Sequence, residues 1–173
     1  MIIVAIVNIL AAIANIVVAA TAEEGVDYSG IIVAVGLIIT GIIYFKFGSN
    51  VRAGNISKKI DILASFVNVV GINTIVTGVF AILSGTFASG VWDIIFGIII
   101  CFCGKKINDG KETTLDKILW IILLVIFVLS ILFSIVGLVA FPIGTLLGIC
   151  GIIIYVFMTL LLMDGEVKKA MGM

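Results

Sequence analysis

The chain has 173 residues, 63% of them hydrophobic and 12% charged, with a formal net charge of zero and a mean hydropathy of +1.44. Soluble domains hold about 45–50% apolar and about 25% charged residues, so a water-soluble core cannot take up this excess and lipid must cover most of the surface. Zero net charge offers no basic face for nucleic acid, and the absence of His removes the commonest general base and metal ligand.

A helix needs about 20 mostly apolar residues to cross the hydrocarbon. In chain order six stretches meet that need: Ile2–Ala20, Gly30–Phe47, Ile62–Ser84, Gly90–Cys103, Ile118–Phe141 and Ile143–Met163. They are long unbroken runs, not the short alternating segments of a membrane barrel. The first ends in "VVAATAEEG", whose Ala-Thr-Ala resembles a signal-peptidase site. No basic segment precedes it and the apolar run is too long for a typical signal, so the sequence predicts a retained span.

The fourth stretch is short, but Lys105 and Lys106 can extend it by carrying their stems to the interface. It holds Cys101 and Cys103, which point about 200° apart on a helix. With no second ligand pair for zinc, these two and Cys150 read as reduced thiols packing as small hydrophobes. The fifth, "ILWIILLVIFVLSILF", is bulky on nearly every side, so Ser130, Ser134 and Gly137 mark its expected packing stripe.

The charges alternate by loop. Glu23, Glu24 and Asp27 follow the first span; Lys46, Arg52, Lys58 and Lys59 follow the second. Only Asp93 lies between the third and fourth, and Lys105, Lys106, Lys111 and Lys117 follow the fourth. "FPIG" is uncharged, and Lys168 and Lys169 close the chain. All ten Lys and Arg residues fall on one side. The positive-inside rule makes that side cytoplasmic, with both termini on it, in a multi-pass protein of the plasma membrane and of prokaryotic style.

The chain also repeats itself. "GIIYFKFGSNVRAG" (Gly41–Gly54), "GIIICFCGKKINDG" (Gly97–Gly110) and "GIIIYVFMTLLLMDG" (Gly151–Gly165) each end the second helix of a hairpin. Among the first helices, "NILAAIANIV" from Asn8 aligns with "DILASFVNVV" from Asp61, setting Asn15 against Asn68; the third copy has Leu124 there. The predicted fold is therefore all-α, a polytopic membrane protein of six transmembrane helices. They form three tandem αα-hairpin repeats (about 1–58, 59–114 and 115–173) in one integral membrane domain. Parallel repeats share an axis along the membrane normal, so three hairpins should surround a pseudo-threefold axis. Small-residue stripes suit such packing: Gly90, Asp93, Gly97, Cys101 and Gly104 in helix four; Gly144, Gly148 and Gly151 in helix six; Ala64, Asn68, Gly71, Gly78, Ala81 and Gly85 in helix three.

Six spans in three short hairpins, with patterns such as "GVWDIIFGIII" and "FPIGTLLGICGIII", resemble the HdeD-like family of short-repeat membrane proteins. That resemblance implies a stress-associated membrane protein without established chemistry. Mitochondrial solute carriers also use three hairpins, but their proline-acid-base signature is missing here, Pro142 being the only proline.

Ionisable groups inside a membrane are expensive and hint at function. Asp93, after Trp92, replaces the Leu37 and Leu147 of the other repeats. It reads either as a cation or proton site at the outer mouth of the axis, or as an acid at a helix N-terminus stabilised by the dipole. The other candidates are Asn15, Asn68 and Asn73, with Asn8 one heptad before Asn15. Interhelical amide hydrogen bonds explain such residues without a ligand; a path would need them to converge with Thr74, Thr77 and Asp93. Paired carboxylates within a span, a Ser with a plausible base and a Walker loop are all absent, and the basic glycine-rich loops suit anionic lipid. The sequence thus predicts no enzyme, metal or cofactor. It predicts a small structural or stress-associated membrane protein acting through helix packing and self-association in the bilayer. The alternative is a channel or transporter for a small solute or cation, with Asp93 at its outer mouth.

Overall fold

A computed structural model describes residues 1–21, 27–109, 113–140 and 145–173. Glu23, Glu24, Gly110, Lys111, Glu112, Pro142 and Gly144 lie outside the described residues. Among the described residues seven helices follow in order: α1 (Ile2–Ala20), α2 (Tyr28–Arg52), α3 (Lys59–Leu83), α4 (Phe87–Ile107), α5 (Thr114–Ala140), α6 (Thr145–Met163) and a short α7 (Gly165–Ala170). No strand occurs among the described residues. Helices α1 to α5 are long and apolar enough to cross a membrane, while the apolar stretch described in α6, Gly148–Met163, is shorter. The chain has the all-helical, apolar character of a membrane protein.

Local signals fix several helix ends. The Asp27 carboxylate accepts hydrogen bonds from the Ser29 amide at 3.0 Å and hydroxyl at 2.8 Å, capping α2. At the start of α5 the Asp116 carboxylate accepts from the Thr113 amide at 2.8 Å and from its hydroxyl at 2.6 Å, satisfying the backbone N–H that precedes the helix. The turns after α2 and α3 use Gly54 and Gly85 at φ +76° and +96°, where a side chain would be strained. The fourth helix is longer than its apolar run, 21 residues from Phe87 to Ile107: it starts three residues before Gly90, and Lys105 and Lys106 continue it past Cys103.

Consecutive helices pair as hairpins, α1 with α2, α3 with α4 and α5 with α6, and α2 packs on α3 between the first two. Glycines set the approach. A Cβ at Gly41 would lie 3.0 Å from the Ala5 carbonyl oxygen of α1, and one at Gly97 would lie 2.8 Å from the Gly71 carbonyl of α3. At Gly151 it would lie 2.9 Å from the Ser134 hydroxyl of α5. So the three glycines that open the repeated segments each rest on the first helix of their own hairpin. The α1 face against α2 is a heptad of alanines, Ala5, Ala12 and Ala19, all buried.

The first helices do not keep the register that their sequence alignment implies. Asn15 lies near the Ala20 end of α1. Asn68 instead packs over Gly104, one turn from the opposite, lysine-bearing end of α4. The glycine contacts determine the depth of each helix here, and they differ between the first two hairpins.

The buried core gathers toward the lysine-bearing end. Phe66 of α3 is 2% exposed and meets Phe47 of α2 at a ring-centroid distance of 6.3 Å, Phe127 of α5 at 6.0 Å and Tyr155 of α6 at 6.2 Å. All three hairpins therefore touch one side chain. Beneath it α7 folds back: Val167 and Met171 are buried, and the Trp120 indole donates to the Leu162 carbonyl at 2.9 Å. Away from these contacts, side chains such as Ile13, Phe102 and Phe133 are more than half exposed, an apolar exterior suited to lipid.

Candidate functional site: polar groups at the helix seams

The four residues singled out in the sequence occupy four different environments. Asn73 of α3 is half-buried, and its amide nitrogen donates to the Tyr44 hydroxyl of α2 at 3.1 Å. Its Oδ1 is buried without a partner among the described residues. Asn68 lies at the α3–α4 seam, where its backbone carbonyl is 3.8 Å from the Cys101 sulfur. Cys101 is thus a thiol packed at a helix crossing.

Asn15 is exposed and lines a cleft of about 360 Å³ with Asp27, Ser29, Ser84 and Thr86, at the end away from the lysines. In this cleft the Asp27 carboxyl is held below its usual range, first by the Ser29 hydroxyl and then by the Gly30 amide. Those bonds are what a helix cap requires, so Asp27 is already employed. Neither Asn68, Asn73 nor Asp93 lines this cleft.

Asp93 is half-buried on α4. Its Cβ lies 2.9 Å from where a Gly78 side chain would begin, so it borders the tight α3–α4 crossing. No hydrogen bond or ion pair to it occurs among the described residues. Because α4 starts at Phe87, Asp93 falls in the second turn, and the helix dipole acts chiefly within the first. Dipole stabilisation therefore covers Asp93 less well than a helix starting at Gly90 would suggest.

Two tyrosines that sequence reasoning passed over complete the interior. Tyr44 and Tyr155 line one small cleft of about 110 Å³ with Met1, Val4, Phe66 and Val70. In α5 the Ser134 hydroxyl donates to the Ser130 carbonyl at 2.8 Å. The signal available was a Tyr in the apolar interior of each of two helices, Tyr44 in α2 and Tyr155 in α6; a Tyr hydroxyl in hydrocarbon must find a partner.

No protein-family model matches the chain, and no curated protein or solved structure does.

At the lysine-bearing end the polar groups are engaged with one another. Lys59 reaches Asp164 at 2.8 Å and Glu166 at 3.4 Å, tying α3 to α7. Lys106 reaches Asp109 at 2.6 Å and the buried Asp116 at 3.4 Å, tying α4 to α5. Lys59 holds the Asp164 carboxyl below its ordinary value, with the Glu166 amide adding to the effect. Among the described residues no three His, Cys, Asp or Glu side chains gather in a way that could hold a metal. Chemically, the interior can donate and accept single hydrogen bonds between hairpins, and the lysine-bearing end can hold the helix termini together.

Proposed function

We propose that this chain is a six-span, non-enzymatic protein of the plasma membrane that acts through helix packing and self-association. In this reading its three hairpins are repeats about a pseudo-threefold axis, both termini are cytoplasmic, and the stress-associated role rests on the resemblance to the HdeD-like family. Two features support the repeat: the pairing of helices α1 to α6 in three hairpins, and the placement of Gly41, Gly97 and Gly151 each against the first helix of its own hairpin. The orientation rests on the lysines and Arg52 gathered at one end.

One observation carries the packing role over a conducting one. Phe66 occupies the place where the three hairpins meet, 2% exposed and in ring contact with two of them. A path along the axis would have to pass this side chain. The competing reading, a channel or transporter with Asp93 at its outer mouth and Asn15 and Asn68 along the path, draws on Asp93 as a half-buried acid without a partner among the described residues, while Asn15 and Asn68 lie in separate places.

A flux assay in liposomes decides between them. Wild type and Asp93→Asn are reconstituted and tested for proton, sodium and potassium movement across a range of pH. The packing reading expects no flux above empty vesicles for either protein. Flux through wild type that Asp93→Asn abolishes would overturn it.

A further inference from the structure

The first and third hairpins do not close against each other along their length. Between them runs a groove of about 470 Å³, floored by Phe47, Gly48 and Val51 of α2 and flanked by Ile2 of α1 and Ile154 and Phe157 of α6. Gly48 makes the floor narrow: a Cβ there would sit 2.8 Å from Cγ1 of Ile2. The rim side chains Ile3, Ile153 and Phe157 are 60%, 63% and 53% exposed, so the groove opens onto the apolar exterior and not into water.

Its lining is apolar except at one end, where Arg52 closes the last turn of α2. Arg52 is exposed and makes no ion pair among the described residues, whereas Lys59 and Lys106 are each held by two carboxylates. A guanidinium is weakly hydrated and presents a planar fork that matches a phosphate in two parallel hydrogen bonds. An apolar slot open to the bilayer and ending at an unpaired guanidinium has the chemistry of one molecule. We infer that the groove binds an anionic phospholipid, one acyl chain lying between α1 and α6 and the phosphate resting on Arg52.

The inference rests on the membrane-spanning reading and goes beyond it. General attraction of basic loops to an acidic leaflet needs no groove and spreads over every lysine at that end. A built site instead concentrates the effect in Arg52 and in the slot, and this difference can be measured.

The experiment uses the full chain, purified in detergent and exchanged into an equimolar mixture of phosphatidylglycerol and phosphatidylcholine with identical acyl chains. Native mass spectrometry then counts the lipids that remain bound. Wild type should retain phosphatidylglycerol preferentially. Arg52→Gln should lower that preference about fivefold, the loss of one basic contact near the surface. Ile153→Trp, which fills the slot from its exposed rim, should lower retention of both lipids. Lys46→Gln, an exposed base outside the groove lining, should behave as wild type. Equal retention of the two lipids by wild type would overturn the inference, and so would a Lys46→Gln loss as large as that of Arg52→Gln. A chain that leaves the membrane fraction without detergent would overturn the spanning reading instead, before any lipid is counted.

Discussion

The side-chain amide of Asn73 and the hydroxyl of Tyr44 are joined at 3.1 Å across the seam between α2 and α3, linking the first hairpin to the second. The bond spans two elements that otherwise meet through apolar contacts such as Phe80 on Gly36. A hydrogen bond inside hydrocarbon is directional where dispersion is not, so it fixes which faces of the two helices meet.

Tyr44→Phe is therefore expected to destabilise the protein by about 0.6–2 kcal/mol, the range for interhelical hydrogen bonds in membranes. Asn73→Leu removes the partner and also the buried, unpaired Oδ1, whose burial carries a cost of its own. Its net effect should be smaller than that of Tyr44→Phe, or stabilising. Unfolding in mixed micelles measures both, and the double variant tests the coupling. Strict additivity of the two changes would show that the pair contributes nothing as a pair.

The α3–α4 seam is limited by backbone. A Cβ at Gly97 would lie 2.8 Å from both the Gly71 carbonyl oxygen and the Ile75 amide nitrogen, and backbone cannot step aside as a flexible side-chain tip can. Gly97→Ala should cost about 1–3 kcal/mol, the usual range for overpacking, despite alanine's better helix propensity. Gly165→Ala provides the contrast. Nothing lies within 4 Å of a Cβ there, so that change should stay within about 0.5 kcal/mol of wild type. Similar costs at the two sites would remove the seam as the reason for the glycine.

Much of this architecture is legible in the chain itself. Long apolar runs give the apolar helices, and Gly41, Gly97 and Gly151 are readable as packing residues because a small side chain is the signature of close helix approach in lipid. Register is harder. The alignment of Asn15 with Asn68 rests on aliphatic matches that tolerate sliding, while the structure sets depth through individual glycine contacts. Convergence is not encoded locally at all. That Asn73 finds Tyr44 and not Asn68 depends on how α2 lies on α3. That Phe66 gathers three hairpins depends on side chains drawn from four helices. The groove ending at Arg52 was invisible for the same reason, since its walls come from helices far apart in the chain.

The Lys59–Asp164 pair makes a pH-dependent prediction. The folded chain holds the Asp164 carboxyl below its ordinary value of 3.8, so the unfolded chain binds a proton there more readily. The stabilisation is then fully present above that ordinary value and is lost as pH falls through the lower, folded value. Thermal midpoints in detergent should be insensitive to this pair from neutrality down to about pH 5 and fall below about pH 4. Asp164→Asn keeps a side chain able to cap α7 but removes the charge, so it should flatten this pair's part of the acid limb. Asp164→Ala loses the cap as well, including the bond from the Glu166 amide at 3.0 Å, and should be less stable at every pH. An unchanged acid limb in Asp164→Asn would assign the dependence to other carboxylates.

Phe66 and Phe133 separate core packing from lipid contact with the same substitution. Phe66 is 2% exposed where the three hairpins meet, while Phe133 on α5 is 72% exposed. Truncating a buried phenylalanine leaves a cavity with atoms missing on one side, costing about 3–5 kcal/mol. At Phe133 lipid tails, which are mobile and as apolar as the lost ring, can close over the gap. Phe66→Ala should therefore be strongly destabilising and should loosen the third hairpin, detected as faster labelling of Cys150 on α6. Phe133→Ala should be close to neutral in lipid by the same unfolding measurement. A neutral Phe66→Ala would mean that the hairpins hold together without their shared contact. The packing reading would then lose the observation that carries it, and the junction of the hairpins would have to be reconsidered as a place that can open.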